Sequence, residues 1–273
     1  MVAIASRDKE RARTLVAGHA DARVSDSYEA LLEDPAVDAV YLPLVNSLHK
    51  EWTLKAMAAG KHVLCEKPLG MNAAEAEEMA AAAEDSRMHL MEAFMYRFHP
   101  RIRDFVARLR DPMHVQVSFG FPLEDKANYR LQAELGGGAL LDVGCYAVNL
   151  ARWILGEPVD VFARARRSHG RKGAQVDMSV SALMQFKGGA TASLWASFES
   201  PEDQELTVVT ADGVHRLERP FTWMEHADPY QLMVESFADS VLHDRPVAIL
   251  PTESIANMKA LDRIRHSAGL PKT

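Results

Sequence analysis

The segment Gly60-Lys61-His62-Val63-Leu64-Cys65-Glu66-Lys67-Pro68-Leu69-Gly70 sets a glutamate and a lysine at the end of a short apolar run. His62–Cys65 is flanked by turn residues, the pattern of a buried parallel strand, and Pro68 stops it. Open α/β sheets bind ligands at the carboxyl ends of their strands, so Lys67 is a candidate for chemistry. A solvated loop lysine is the alternative that this stretch alone leaves open. Eleven histidines invite a metal hypothesis, but no HExxH and no Cys–His spacing occurs, so no metal ligands are expected. Gly136-Gly137-Gly138 has no buried parallel strand feeding it. It reads as a close backbone approach, not a phosphate loop. The cluster Arg164, Arg166, Arg167, Arg171 and Lys172 reads as a solvated strand end and loop.

The elements that must carry these residues fall into two patterns. Up to about Tyr96, strands alternate with helices: Val2–Ala5, a helix to Ala17, Val24, a helix Ser27–Glu33, Val37–Leu42, a helix capped by Ser47 and ended by Gly60, His62–Cys65, a capping-box helix Asn72–Ser86, and His89–Met91. Such alternation implies a parallel sheet with right-handed crossovers. Beyond it, Met113–Phe119 and Val176–Phe186 alternate strictly, and Thr191–Phe198, Glu205–Thr210 and Val214–Leu217 add strands around an Ala211-Asp212-Gly213 hairpin turn. These imply an antiparallel sheet with one buried face. Asp142–Leu155 reads as one helix, and helices near 230–243 and 252–267 close the chain. The expected division is a partial Rossmann-like domain over 1–95 and an α+β domain over 96–273.

Composition is that of a soluble globular protein: 273 residues, 48% hydrophobic and 25% charged. A net charge of -7 argues against a nucleic-acid partner, which needs a basic patch. No apolar run of about 18 residues is present, so no membrane span is expected. Two cysteines make no disulfide framework and, with no signal peptide visible, the expectation is a reduced cytoplasmic protein.

Three segments together resemble the glucose–fructose oxidoreductase family (Gfo/Idh/MocA): Gly60–Pro68, Leu90-Met91-Glu92-Ala93-Phe94-Met95-Tyr96-Arg97-Phe98-His99-Pro100, and Gly136–Gly138 running into Ala139-Leu140-Leu141-Asp142-Val143-Gly144-Cys145-Tyr146. The likeness covers nearly the whole chain and is nearest to the dihydrodiol dehydrogenase and NADP-dependent xylose dehydrogenase branch. It implies NAD(P)-dependent oxidation of a sugar or trans-dihydrodiol hydroxyl, with a small-molecule substrate and a homodimer formed through the open face of the sheet. Tyr146 would be the general acid/base. An ordinary tyrosine, with a pKa of about 10, is too weak a base at neutral pH, and the Lys67 ammonium is placed to lower it. Asp142, four residues before Tyr146, would orient the lysine or bind a substrate hydroxyl. Ser6 and Arg7, after the family's second strand, favour NADP, while Asp8 keeps NAD possible. Leu44, Asn46, His49, Glu66 and Lys67 are the remaining expected cofactor contacts. Arg97 and His99, with Asp142 and Tyr146, are expected at the substrate pocket.

The chain departs from the family in one respect. No GxGxxG occurs, and by its motifs the sequence starts at the family's second strand. Two expectations follow: a truncated record of a dehydrogenase, or a non-catalytic, sugar-binding relative unable to hold the dinucleotide. Strand Val37–Leu42 would then have to pair directly with Val2–Ala5, or both would expose an edge.

Overall fold

The structure, a computed structural model, describes residues 1–19, 21–168 and 175–271. Its first half alternates as expected: β1 (Ala3–Ile4), α1 (Lys9–Val16), β2 (Arg23–Val24), α2 (Tyr28–Glu33), β3 (Ala39–Leu42), α3 (His49–Ala58), β4 (His62–Cys65), α4 (Ala73–Ser86) and β5 (Leu90–Glu92). Local chemistry sets most boundaries. Ser27 and Asn72 accept the amides of Ala30 and Glu75 as N-caps, and Gly60, at φ 71°, closes the turn after α3. Ser47 does not cap α3; it lies inside a short 3₁₀ turn, Asn46–Leu48, that leads into the helix.

The parallel strands form two separate sheets, β1-β2 and β3-β4-β5. Of the two arrangements open to β1 and β3, the structure has the one in which they do not pair and each keeps a free edge among the described residues. In β4, Val63, Leu64 and Cys65 are buried, as a strand covered on both faces requires. Each such apolar side chain contributes roughly 1.5–3 kcal/mol by leaving water.

The second half contains α5 (Pro100–Arg108), β6 (Pro112–Gly120), α6 (Cys145–Leu155), β7 (Pro158–Arg167), β8 (Asp177–Phe186), β9 (Thr191–Ser197), β10 (Asp203–Thr210), β11 (Gly213–Glu218), α7 (Pro229–Leu242) and α8 (Pro251–Ser267). The six strands lie in the order β11-β10-β6-β9-β8-β7. The sheet is mixed, not wholly antiparallel, because β6 and β9 run parallel at its centre. Strand β7 is ten residues long, and the sequence reading had only its solvated end at Arg164–Arg167; Arg171 and Lys172 of that basic cluster lie outside the described residues. The expected single helix over Asp142–Leu155 is instead a π-helical turn, Leu140–Gly144, continued by α6. Helix α8 packs on α4, α6 and β7, and Asp262 accepts the amide of Ala73, which ties the end of the chain to the first half. Among the described residues no helix is long and apolar enough to cross a membrane.

Candidate active site

Strand β4 delivers Glu66 and Lys67 to the junction of the two halves, and the π-helical turn delivers Asp142 opposite them. Lys67 Nζ donates to Asp142 Oδ1 at 3.1 Å and to the Asp142 carbonyl oxygen at 2.8 Å. The same nitrogen lies 5.0 Å from the centroid of the Tyr146 ring. So three residues drawn from two segments, 75 or more positions apart from Lys67, meet in one place. The widened helical turn matters here, because π turns re-aim side chains and recur at functional sites.

Four aromatic rings hold Tyr146. Phe94, Tyr96, Phe119 and Phe221 have centroids 5.4, 5.8, 5.5 and 5.3 Å away, in edge or tilted contacts. Tyr96 is itself fixed by donating to Asn149 Oδ1 at 2.5 Å. The ring of Tyr146 is therefore set by packing, and with it the direction of its hydroxyl.

The electrostatics of the trio correct one expectation. Burial pushes the Tyr146 phenol up, the Lys67 ammonium pulls it down, and burial wins, leaving it well above the ordinary tyrosine value. Tyr146 is therefore a neutral phenol at neutral pH. Burial is the largest influence on Lys67 and disfavours its charge, but the Asp142 carboxylate, together with Tyr146, Cys145 and Glu66, outweighs it, so Lys67 stays protonated. Burial likewise works against the Asp142 carboxylate, yet Lys67 and Arg130 together hold it below the usual carboxylate range.

Arg130 was not foreseen. Its Nε donates to Asp142 Oδ2 at 2.6 Å, so the two carboxylate oxygens are shared between two cations. Tyr41 and Asp177 were also missed. The exposed Tyr41 donates to Glu66 Oε1 at 2.5 Å. Asp177, buried at the start of β8, accepts the amide of Leu140 at 2.6 Å and so anchors the π turn. An acid opening an apolar alternating strand was its one sequence signal.

The glycine run is a close approach, as expected. Asn46 donates to the Gly136 carbonyl at 2.8 Å, and a Cβ on Gly136 would lie 2.6 Å from the Asn46 Cβ. The Asn46 amide is thus used as a tie between the halves. His49 is fully buried, with Nδ1 2.8 Å from the Pro68 carbonyl and Nε2 3.0 Å from the Leu44 carbonyl. It staples the loop after β3 to the Lys67–Pro68 turn and is not presented to solvent, a different use from direct cofactor contact. Arg97 lies against Trp153, 4.7 Å from the ring, and pairs with Glu253 at 2.6 Å; His99 accepts the Arg101 amide as the N-cap of α5 and also contacts the Glu225 carbonyl. Neither joins the Lys67–Asp142–Tyr146 group, because both are engaged in packing α5 and α8.

At the far end of the parallel layer, Ser6 and Arg7 follow β1. Asp8 accepts the Arg11 amide as N-cap of α1, which occupies the one acid there, while Arg7 is exposed. This donor set fits a dinucleotide carrying a 2′-phosphate near Arg7 and its nicotinamide end near Glu66 and Lys67. Among the described residues no glycine-rich loop supplies backbone amides for the pyrophosphate. No group of three or more His, Cys, Asp or Glu side chains there is arranged to hold a metal ion.

Comparison with known proteins gives the family. Residues 1–94 match the profile described as "Oxidoreductase family, NAD-binding Rossmann fold", and residues 103–216 match "GFO/IDH/MocA C-terminal domain". A D-xylose 1-dehydrogenase (NADP(+)) of Haloferax volcanii is 38% identical over 291 residues, covering 97% of this chain and 89% of that protein. A trans-1,2-dihydrobenzene-1,2-diol dehydrogenase of Xenopus tropicalis is 34% identical, covering 78% of this chain and 66% of its own length. The crystal structure of KijD10, a 3-ketoreductase from Actinomadura kijaniata in complex with NADP and TDP-benzene, superposes with a TM-score of 0.90 at 30% identity, covering 98% of this chain and 89% of that one. The chain belongs to the Gfo/Idh/MocA family of oxidoreductases.

Proposed function

We propose that this oxidoreductase moves a hydride between the carbon of a sugar or trans-dihydrodiol hydroxyl and NADP, with Tyr146 as the proton-transfer group. The observation that carries the reading is the position of Lys67 Nζ, bonded to Asp142 and 5.0 Å from the Tyr146 ring. NADP, when bound, supplies or takes the hydride; Ser6 and Arg7 would hold its phosphate-bearing ribose, and the β3 and β4 loops its nicotinamide end. Tyr146, kept protonated by burial, gives its proton to a carbonyl oxygen in reduction and is reprotonated from solvent; in oxidation the phenol first releases its own proton to solvent, and the phenolate then takes the hydroxyl proton as the hydride leaves. Lys67 stabilises the phenolate formed in between, and Asp142 keeps the ammonium charged and in place. The xylose and dihydrodiol dehydrogenases among the relatives support this substrate class, and the NADP named for the xylose dehydrogenase and for the KijD10 structure supports the cofactor.

We take residues 1–95 as the nucleotide-binding unit and 96–273 as the substrate-binding and dimerising unit. Leu194 and Phe198 are in the core, but Phe162 and Leu183, directly opposed across β7 and β8, are exposed on the outer face of the sheet with Trp195 nearby on β9. That face fits a second copy of the chain. Two buried free thiols, Cys65 and Cys145, fit a cytoplasmic protein. The test is turnover of D-xylose, D-glucose and a cyclic trans-diol with NADP by wild type and Y146F. Loss of turnover in Y146F with NADPH binding kept is expected; equal rates would reject Tyr146 as the proton-transfer group.

A further inference from the structure

We propose that Arg130 is a positioning residue for the hydride-transfer reaction: it holds one oxygen of Asp142 so that the charge of Lys67 stays directed at Tyr146. The inference rests on the roles just given to Lys67 and Tyr146. Asp142 has two oxygens and two cationic neighbours. Arg130 Nε takes Oδ2 at 2.6 Å and Lys67 Nζ takes Oδ1 at 3.1 Å, so the shorter contact belongs to the arginine. The carboxylate is only 7% exposed, which makes each of these bonds strong and each loss consequential.

Within the group, two cations face one carboxylate, and the Glu66 carboxylate, with Cys145 and Tyr230 the other titratable groups that face the phenol, opposes the surplus positive charge. Without Arg130 the group becomes a neutral ion pair. Asp142 is then free to offer both oxygens to Lys67 and to draw the ammonium away from the Tyr146 ring. A phenolate formed during turnover would lose much of its counter-charge, while the binding surfaces for substrate and cofactor would keep their shape.

The backbone is built to hold Arg130 there. The residue sits in a 3₁₀ turn, Tyr129–Leu131, whose N-cap Asn128 accepts the Arg130 amide. The Arg130 carbonyl accepts the Gly138 amide at 2.9 Å, and a Cβ on Gly137 would lie 2.5 Å from that carbonyl oxygen. Glycine at 137 therefore lets the chain close on the turn that carries Arg130, so the glycine run and the arginine are parts of one device.

The experiment compares wild type with R130K, which keeps a charge, and R130Q, which keeps a donor without the charge. kcat is measured against pH with NADP and the three substrates above. R130Q is expected to lose about 30-fold in kcat, with KM for sugar and NADP changed by less than about threefold. The pH limb of kcat should move up by about one pH unit, since a lost counter-charge raises the phenol. R130K should recover most of the rate. Wild-type kcat in R130Q, a loss confined to KM, or R130K as slow as R130Q would each overturn the proposal. Should R130Q fail to fold, R130A takes its place, and restoration of kcat by added ethylguanidinium supports the proposal while its absence overturns it. If wild type turns over none of the substrates, the functional reading fails separately. Crystal structures of wild type and the variant that folds still decide: Lys67 moved onto both Asp142 oxygens supports the role of Arg130, and Lys67 unmoved rejects it.

Discussion

Glu92, at the end of β5, makes the stability of this fold depend on pH. The side chain is 1% exposed, and one oxygen accepts the Leu69 amide at 2.9 Å, two residues after Lys67. The other oxygen closes no hydrogen bond, although the Ser254 hydroxyl stands beside it and eases its ionisation slightly. Burial raises the carboxyl from 4.5 in an open chain to about 7, against the smaller pull of Ser254, the Leu69 amide, Arg152 and Arg97. The folded state therefore binds a proton more tightly than the unfolded chain does. The stabilisation from that proton is complete below 4.5 and is lost as pH rises to about 7. The difference of 2.5 (7 minus 4.5) corresponds to about 3 kcal/mol at about 1.4 kcal/mol per pH unit. Glu92→Gln removes the titration while its amide oxygen can still accept from Leu69. Urea unfolding of both proteins at pH of about 5 and about 8 is the assay. The variant should be close to wild type at the lower pH and gain roughly 2–3 kcal/mol on it at the higher. A difference between the two proteins that is the same at both pH values would refute the reasoning.

Three further outcomes are expected. Lys67→Met should lower kcat by about 10³-fold and leave the fold intact, because Arg130 still neutralises Asp142; turnover with NADP and a thermal melt check both. Gly138→Ala should destabilise by about 3 kcal/mol, since φ is +113° and its Cβ would lie 2.3 Å from Asp177 Oδ1; denaturant titration measures it. Light scattering should give a dimer mass for wild type, as proposed, and a monomer mass for Phe162→Glu combined with Leu183→Glu; a monomeric wild type or an unchanged dimer mass in the variant would reject the sheet face as the interface.

What the sequence revealed, and what it hid, divides along the range of the interactions. The lysine at a strand end, the cap of α4 and the turn at Gly60 rest on neighbours within a few positions, and all were legible. The trio Lys67–Asp142–Tyr146 was legible only because its segments resemble a family, as nothing local says that residues 67 and 142 touch. Arg130 and Tyr41 were invisible because each acts on a partner 12 or more positions away and sits in an ordinary turn or strand. The parallel pairing of β6 with β9 was hidden for the same reason: alternation reports which face is buried, not which strand lies alongside. The packing partners of Arg97 and His99 were equally hidden, because a polar residue beside a family motif looks the same in sequence whether it faces a ligand or packs a helix.

The correction to Tyr146 changes how the site works. A tyrosine activated to phenolate in the resting protein would be a ready base, but this one is buried among four rings, and burial outweighs the ammonium beside it. The cation cannot then be explained by what it does to the resting phenol. In the proposed reaction its effect falls on the moment when the proton has left and the negative charge sits in a low-dielectric pocket, where an ammonium already in place stabilises most. That requires the ammonium to be charged in advance, which the lowered, doubly held carboxylate of Asp142 ensures. The proposed chain of dependence runs outward from the phenolate formed in turnover to Lys67, to Asp142 and to Arg130, with each group stabilising the charge of the one before it.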